Sequence, residues 1–200
     1  MVWQIGQAKP RLYFLLAASR GSHAEWHAQK PADGRMSLYE LAQLNIAVMK
    51  EPLQSPLMVD FVANLDRVNA LADGSAGFVW RLQGEEGDAA LLRLLGENVL
   101  ANMSVWADVE ALRNYVYRSA HVEVMRRRKE WFERMSEAYV VLWWIPRGHR
   151  PTPSEAVAKL AHLRLHGSTE QAFTFRQAFP PPTESQKAAP LDLGDECPAT

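Results

Sequence analysis

The chain has 200 residues, of which 48% are hydrophobic and 22% are charged, as in folded globular proteins and unlike disordered, collagenous or coiled-coil chains. Its formal net charge of −1 gives no electrostatic basis for binding nucleic acid or an anionic membrane. The single cysteine, Cys197, excludes a disulfide within the chain and favours a reducing compartment, so we predict a cytoplasmic location. No apolar run reaches the roughly 20 residues that span a bilayer.

Regular periodicity is confined to the middle of the chain. The segment 1–36 lacks a consistent pattern, and Met36 is an alternative start of the native product. A proline run opens the segment 180–200, which is otherwise rich in alanine, serine and acidic residues and has little to bury. We therefore predict an N-terminal extension over 1–36, one domain over 37–179 and a disordered tail over 180–200.

Apolar periodicity predicts four strands and two helical regions in the first part of the domain. In chain order these are a strand over 39–47, a helix over 56–74, a strand over 77–83, a loop over 84–88, a strand over 98–105, a helix capped by Asp108, a helical segment over 119–135 and a strand over 139–145. The order β-α-β-β-α-β is the ferredoxin-like arrangement of the α+β class, with a four-stranded antiparallel sheet and helices on one face.

The fourth predicted strand, 139–145, is apolar on both sides. A sheet with helices on one face only would leave half of these residues in water, so a second layer is required. The same face of a second copy is the expected cover, which predicts a homodimer in which two sheets form an α/β barrel. The alternative is that a C-terminal helix of the same chain folds over the face.

Two further elements follow the sheet. Thr152 to Glu155 has the pattern of a capping box and begins a helix that ends near His166. The segment 172–179 alternates aromatic and polar residues and is either an added edge strand or an arm laid over the domain.

The helical segment over 119–135 carries the principal candidates for chemistry. On a helical wheel its apolar residues share one face with His121 and Arg128, whereas the other charged residues lie outside that face. A buried guanidinium requires an acceptor, so Arg128 is a candidate for holding an anionic group. His121 is a candidate general acid or base, or a ligand. The alternative for both is a satisfied structural hydrogen bond.

Polar residues on the predicted strands and on the first helix extend this candidate site. Gln43 and Asn45 share one face of the first strand, Asn102 and Ser104 share one face of the third, and Asn69 lies on the apolar face of the first helix. Together with Tyr115 and His121 they either line a small-molecule cavity or link strands to loops. His162 and His166 lack an evident third ligand, so we predict no metal site.

Several strings of the domain resemble the bacterial family catalogued as domain of unknown function 3291: Tyr39 to Ile46, Phe61 to Leu65, Gly77 to Leu82, Met103 to Trp106, Tyr115 to His121, Gly148 to Pro151 and Phe173 to Arg176. That family is similar to the dimeric α/β-barrel superfamily, which includes antibiotic-biosynthesis monooxygenases, haem-degrading monooxygenases and stress-responsive proteins. The resemblance therefore also implies a homodimer.

The resemblance leaves the activity open. In the haem-degrading relatives an Asn, a Trp and a His form the site; Asn45 and His121 occupy comparable places here, but Tyr115 stands nearest the Trp position. Our leading hypothesis is a homodimer with a small-molecule pocket between helix and sheet, a monooxygenase of the cofactor-free or haem type in which Asn45 and Tyr115 orient the ligand. The competing hypothesis is a non-catalytic dimeric ligand-binding or stress protein, in which these residues are structural.

Overall fold

The computed structural model describes residues 37–119 and 121–183. The predicted extension over 1–36 and the part of the predicted tail beyond Thr183 lie outside the described residues. The elements are β1 (Tyr39–Val48), a 3₁₀ turn (Pro56–Met58), α1 (Val59–Asp73), β2 (Phe78–Arg81), α2 (Glu85–Leu95), β3 (Val99–Trp106), α3 (Val109–Arg118), α4 (His121–Trp131), β4 (Val140–Pro146) and α5 (Pro153–His166).

The four strands form one antiparallel sheet in the order β2-β3-β1-β4. Gln43 of β1 lies opposite Ser104 of β3, and Asn45 lies opposite Asn102. These polar pairs lie on the face of the sheet that α1, α3 and α4 cover, because alternate residues of a strand point to the same side. The prediction of an α+β protein with a four-stranded antiparallel sheet is confirmed.

A tight turn sets α3 against the sheet. Gly77 has φ +81°, and a Cβ atom at this position would overlap the Cβ of Ala111 in the first turn of α3. The carboxylate of Asp108 accepts a hydrogen bond from the Ala111 backbone N–H at 2.8 Å, so the predicted helix cap is present. Glycine and cap together let the start of α3 pack closely on the chain at the start of β2.

The predicted loop over 84–88 is wrong beyond Gly84, because α2 begins at Glu85. The two glycines and three acidic residues of the run suggested a turn, but alanine and leucine follow them directly and are strong helix formers. Leu91, 3% exposed, joins the hydrophobic core on the side of the sheet opposite α1. Burial of this helix face outweighs the weak helix propensity of its first turn.

The sheet is covered on both faces, so the expectation of a bare face that a second copy must cover is wrong. Leu160 and Ala156 of α5 pack in one cluster with Leu44, Val141 and Trp143 of the sheet, and α2 completes this layer. The alternative of a C-terminal helix folding over the face is therefore the one observed. Helix α5 does not have to cover four strands alone, because α2, which was predicted to begin as a loop, shares the covering with it.

The start of α5 differs from a reciprocal capping box. The Thr152 hydroxyl accepts a hydrogen bond from the Glu155 N–H at 3.1 Å, as predicted. The Glu155 carboxylate instead accepts from the indole N–H of Trp143 at 2.9 Å and lies 2.9 Å from His149 Nε2. This carboxylate therefore ties α5 to the buried strand β4.

The segment 172–179 is an arm and not a further strand. Phe173 exchanges two backbone hydrogen bonds of 2.8 Å with Leu142 on the outer edge of β4. The carbonyl of Phe179 accepts a hydrogen bond from Trp144 Nε1 at 2.8 Å. Of the two alternatives, the structure shows the arm.

Candidate functional site

A cavity of about 160 Å³ lies between the sheet and helices α1, α3 and α4. The five principal site candidates line it: Asn45, Asn69, Tyr115, His121 and Arg128. Gln43 and Asn102, which the strand pattern placed on the same two faces, line it as well. The structure thus brings together in one cavity residues that the sequence separates by up to 85 positions.

A buried chain of hydrogen bonds lies behind the cavity wall and ends at Gln43, which lines the cavity. The indole N–H of Trp106 donates to Ser104 Oγ at 2.9 Å, and Ser104 Oγ donates to Gln43 Oε1 at 2.8 Å. Ser104 itself does not line the cavity. Ser104 thus follows the alternative of a structural hydrogen bond, and Trp106 was not predicted at the site because indole partners depend on the tertiary fold.

Two polar atoms of the cavity lining are buried without a hydrogen-bond partner among the described residues: Asn45 Oδ1 and His121 Nδ1. The other two such atoms in that part of the chain, Ser55 Oγ and Asn114 Oδ1, belong to residues that do not line the cavity. Buried polar atoms are rarely left unpaired in folded proteins. Two such atoms in one cavity are typical of a site where a ligand or water supplies the missing hydrogen bonds.

The break between α3 and α4 places His121. Ser119 ends α3 in an extended conformation, and its hydroxyl donates to the Tyr115 carbonyl at 2.6 Å. The same hydroxyl accepts from the His121 backbone N–H at 3.1 Å. One side chain therefore joins the last turn of α3 to the first turn of α4 and directs His121 into the cavity.

Burial keeps the imidazole of His121 neutral. It lowers the pKa of His121 from its usual value of 6.5, and the Val116 carbonyl opposes this shift only in part. A neutral imidazole has one ring nitrogen without a hydrogen, so His121 can accept a proton.

Tyr115 is held as a neutral phenol. Burial, together with the charge of Asp73, raises the pKa of Tyr115 to about 12, although Arg81 acts in the opposite direction. Its hydroxyl donates to the Val68 carbonyl of α1 at 3.3 Å. Because that hydrogen is used, the phenolic oxygen offers lone pairs to other groups.

Arg128 is the one charged side chain lining the cavity within the described residues. It is half-buried, and its guanidinium lies over the ring of Tyr139 with Cζ 4.1 Å from the ring centroid. The carboxylate or carbonyl acceptor expected for this guanidinium is absent from residues 37–119 and 121–183. Stacking on the aromatic ring replaces it, since arginine packs on aromatic faces with its N–H groups free at the edge.

Helices α1 and α4 meet at the rim of the cavity through exposed ion pairs. Arg67 lies 3.3 Å from Glu123, and Arg127 lies 2.8 Å from Asp60. Met125, 37% exposed, also belongs to the rim. Asn64, a lining residue that the sequence analysis did not select, donates from Nδ2 to the Asp60 carbonyl at 2.8 Å.

The remaining histidines lie apart from the cavity. The rings of His162 and His166 are 4.5 Å apart, but His162 Nε2 is 3.0 Å from the hydroxyl of Thr169. Among the described residues, no group of three or more His, Cys, Asp or Glu side chains is arranged to hold a metal ion. No described helix is long and apolar enough to cross a membrane.

Solved structures of three bacterial proteins are similar to this chain. The cofactor-independent oxygenase SnoaB of Streptomyces nogalater is 17% identical, with a TM-score of 0.37 over 56% of this chain and 95% of its own. NE2512 of Nitrosomonas europaea, a protein of unknown function, is 13% identical, with a TM-score of 0.36 over 58% of this chain and 96% of its own. PA3566 of Pseudomonas aeruginosa is 16% identical, with a TM-score of 0.35 over 58% of this chain and 100% of its own.

A search of the curated proteins finds no match. The family model for the domain of unknown function DUF3291 matches residues 40–189, which is three quarters of the chain. The chain therefore belongs to the DUF3291 family.

Proposed function

We propose that the cavity binds a small, mainly apolar molecule with an acidic hydroxyl of the phenol or enol type, and that His121 removes the proton of this hydroxyl. The observation that carries the proposal is the pair of buried polar atoms without a hydrogen-bond partner, Asn45 Oδ1 and His121 Nδ1, in one cavity. A ligand hydroxyl satisfies such an atom, whereas a purely apolar ligand would leave both atoms desolvated.

Size and charge narrow the ligand class. The cavity of about 160 Å³ lies below the roughly 300–1,000 Å³ of pockets for drug-sized ligands, which favours a molecule of one or two rings. Arg128 supplies a positive charge, and the lining contains no carboxylate. An anion formed by loss of the ligand proton is therefore stabilised electrostatically.

The reaction that we propose is a cofactor-free monooxygenation. Deprotonation of a phenol gives an electron-rich ring that reacts with O₂, and a phenol with a free ortho or para position becomes a quinone. One oxygen atom of O₂ enters the ring and the other leaves as water with the two hydrogens lost, so the substrate supplies all the electrons. His121 acts as the proton acceptor, and Tyr115 and Asn45 orient the ring.

Haem, the other cofactor that the family resemblance suggests, does not fit the residues present. A cavity of about 160 Å³ is smaller than a site for an ordinary drug-sized ligand and cannot enclose the macrocycle. Tyr115, which stands nearest the Trp position of the haem-degrading relatives, donates its hydrogen to a backbone carbonyl. We therefore assign no step to haem.

The test uses 1-naphthol, whose oxidation by one O₂ gives 1,4-naphthoquinone and water. We expect equal consumption of O₂ and formation of quinone by the wild-type protein. We also expect a loss of about a hundredfold or more in His121→Ala, because a positioned base contributes roughly that much. His166→Ala, which removes an exposed histidine, is the matched control. Binding without O₂ uptake supports the non-catalytic binding protein instead, and absence of binding contradicts the proposal.

From the family resemblance we also propose a homodimer, and from the single cysteine a cytoplasmic location. Because α2 and α5 cover the sheet, its interface has to use helical surface in place of the open sheet face. Light scattering at micromolar concentration should give twice the mass of one chain, and the mass of a single chain would contradict the dimer.

A further inference from the structure

We infer that Gln43 determines specificity in this cavity by selecting ligands that carry a carbonyl oxygen in addition to the acidic hydroxyl. The inference rests on the proposed function, since it concerns the ligand of the same cavity. It adds a hydrogen-bond donor, the NH₂ group of Gln43, to the two unpaired atoms already described, Asn45 Oδ1 and His121 Nδ1.

The orientation of the Gln43 amide follows from donor and acceptor chemistry. An indole N–H only donates, so Ser104 Oγ accepts from Trp106 Nε1, and Gln43 Oε1 is the one acceptor among the described residues for the hydrogen of this buried hydroxyl. The amide oxygen of Gln43 is therefore bound to Ser104. Its NH₂ group is necessarily the opposite end of the amide.

This NH₂ group has no acceptor among the described residues. Gln43 is only 8% exposed and lines the cavity. Trp106 and Ser104, which hold it, are buried as well, so the amide is fixed before a ligand arrives. Nε2 is not one of the buried unpaired atoms, so it is open to the cavity that Gln43 lines, where the carbonyl oxygen of a ligand can accept its hydrogen bond.

The neighbouring polar group gives the spacing. Asn45 follows Gln43 by two residues on the same face of β1, a separation of about 7 Å along a strand. The cavity lining thus presents a donor at Gln43 and an unpaired acceptor at Asn45. A carbonyl and a hydroxyl at opposite ends of one benzene ring match this polarity.

The probes are 4-hydroxyacetophenone and 4-ethylphenol, which have similar shape and share the hydroxyl, whereas only the first has a carbonyl. Dissociation constants are measured by calorimetry for the wild-type protein and for Gln43→Leu. We expect the preference for the carbonyl compound to fall about tenfold in Gln43→Leu, the size of one buried hydrogen bond. The two phenols differ in acidity, but this difference affects both proteins equally and cancels when the ratio of the two dissociation constants is compared between them.

Ser104→Ala provides a second variant that keeps Gln43 but releases its amide oxygen. We expect it to lose part of the same preference, while Ser75→Ala, which removes a hydroxyl outside the cavity, keeps all of it. In the wild-type complex the carbonyl stretching band of 4-hydroxyacetophenone should move to lower frequency, and this shift should disappear in Gln43→Leu.

The outcomes separate the two proposals. If both phenols bind and Gln43→Leu keeps the full preference and the full infrared shift, the inference is wrong and the proposed function stands. If neither phenol binds to the wild-type protein, the proposed function itself is wrong.

Discussion

The rings of Tyr115 and His121 lie against each other with centroids 4.9 Å apart, although a helix break separates the two residues. On its other side Tyr115 stacks on Trp106, with centroids 5.1 Å apart and planes inclined by 26°. The imidazole is therefore held by an aromatic column that starts on the sheet. Stacked rings restrict rotation about the side-chain bonds, so His121 keeps its direction into the cavity without a hydrogen bond to Nδ1.

The buried imidazole makes stability depend on pH. The pKa of His121 is lowered in the folded state, so below about pH 6.5 the unfolded chain binds a proton that the folded chain does not. This contribution to stability is therefore fully present above the pKa of the histidine in the unfolded chain, 6.5, and is lost as the pH falls from there towards the lower pKa of the folded state. We expect His121→Asn to reduce the difference in Tm between pH 7.5 and pH 5. His166→Asn, on the exposed surface, should leave that difference unchanged; an equal effect of both variants would contradict the prediction.

The unpaired oxygen of Asn45 should cost stability in the absence of a ligand. Asn45→Leu removes this buried acceptor with little change of shape, so we expect a gain of about 1 kcal/mol, or roughly 2–4 °C in Tm. Binding of 4-ethylphenol should weaken in the same variant. Asn64→Leu is the control, and we expect it to lower Tm, because both ends of the Asn64 amide are hydrogen-bonded. A loss of Tm in Asn45→Leu would show that the amide is structural.

Helix α5 should contribute strongly to stability because it covers the sheet. Leu160 is 2% exposed, whereas Leu165 on the same helix is 78% exposed. We expect Leu160→Ala to lower the free energy of unfolding by about 2–5 kcal/mol and Leu165→Ala to change it by less than about 0.5 kcal/mol. Denaturant titration followed by tryptophan fluorescence measures both. Similar small losses would mean that α5 does not seal the face.

The cap of α5 is a separate, smaller contribution. Thr152→Ala removes the hydroxyl that accepts the Glu155 N–H, and such caps contribute about 1 kcal/mol. Ser154→Ala, at an exposed position two residues further on, is the matched control. Denaturant midpoints should differ between the two variants, and equal midpoints would contradict the assignment of the cap.

The candidate site was predictable where it depended on local geometry. His121 and Arg128 share a helix face because seven residues make about two turns, and both line the cavity. The two strand pairs were predictable for the same reason, since alternate residues share a face. The link from Trp106 through Ser104 to Gln43 required the tertiary fold, because a strand pattern does not specify which hydrogen bonds its side chains form.

The covering of the sheet was harder to predict. Helix α2 begins in an acidic, glycine-containing run, and only its later alanine and leucine residues favour a helix. Without α2, one helix seemed too small to cover four strands, and a second copy seemed necessary. Leu91 of α2 packs in one cluster with residues of α5, so the two helices cover the sheet together. This contact is between residues far apart in sequence, and no local sequence pattern predicts it.

The single pairing of Phe173 with Leu142 has a consequence for self-association. Both backbone groups of Leu142 that face outward from β4 are used, and the arm therefore occupies the place where another strand would add. At the opposite edge β2 is only four residues long and its register with β3 is irregular, so it is a poor template for pairing. The sheet is consequently guarded at both ends against the edge-to-edge growth that leads to aggregates.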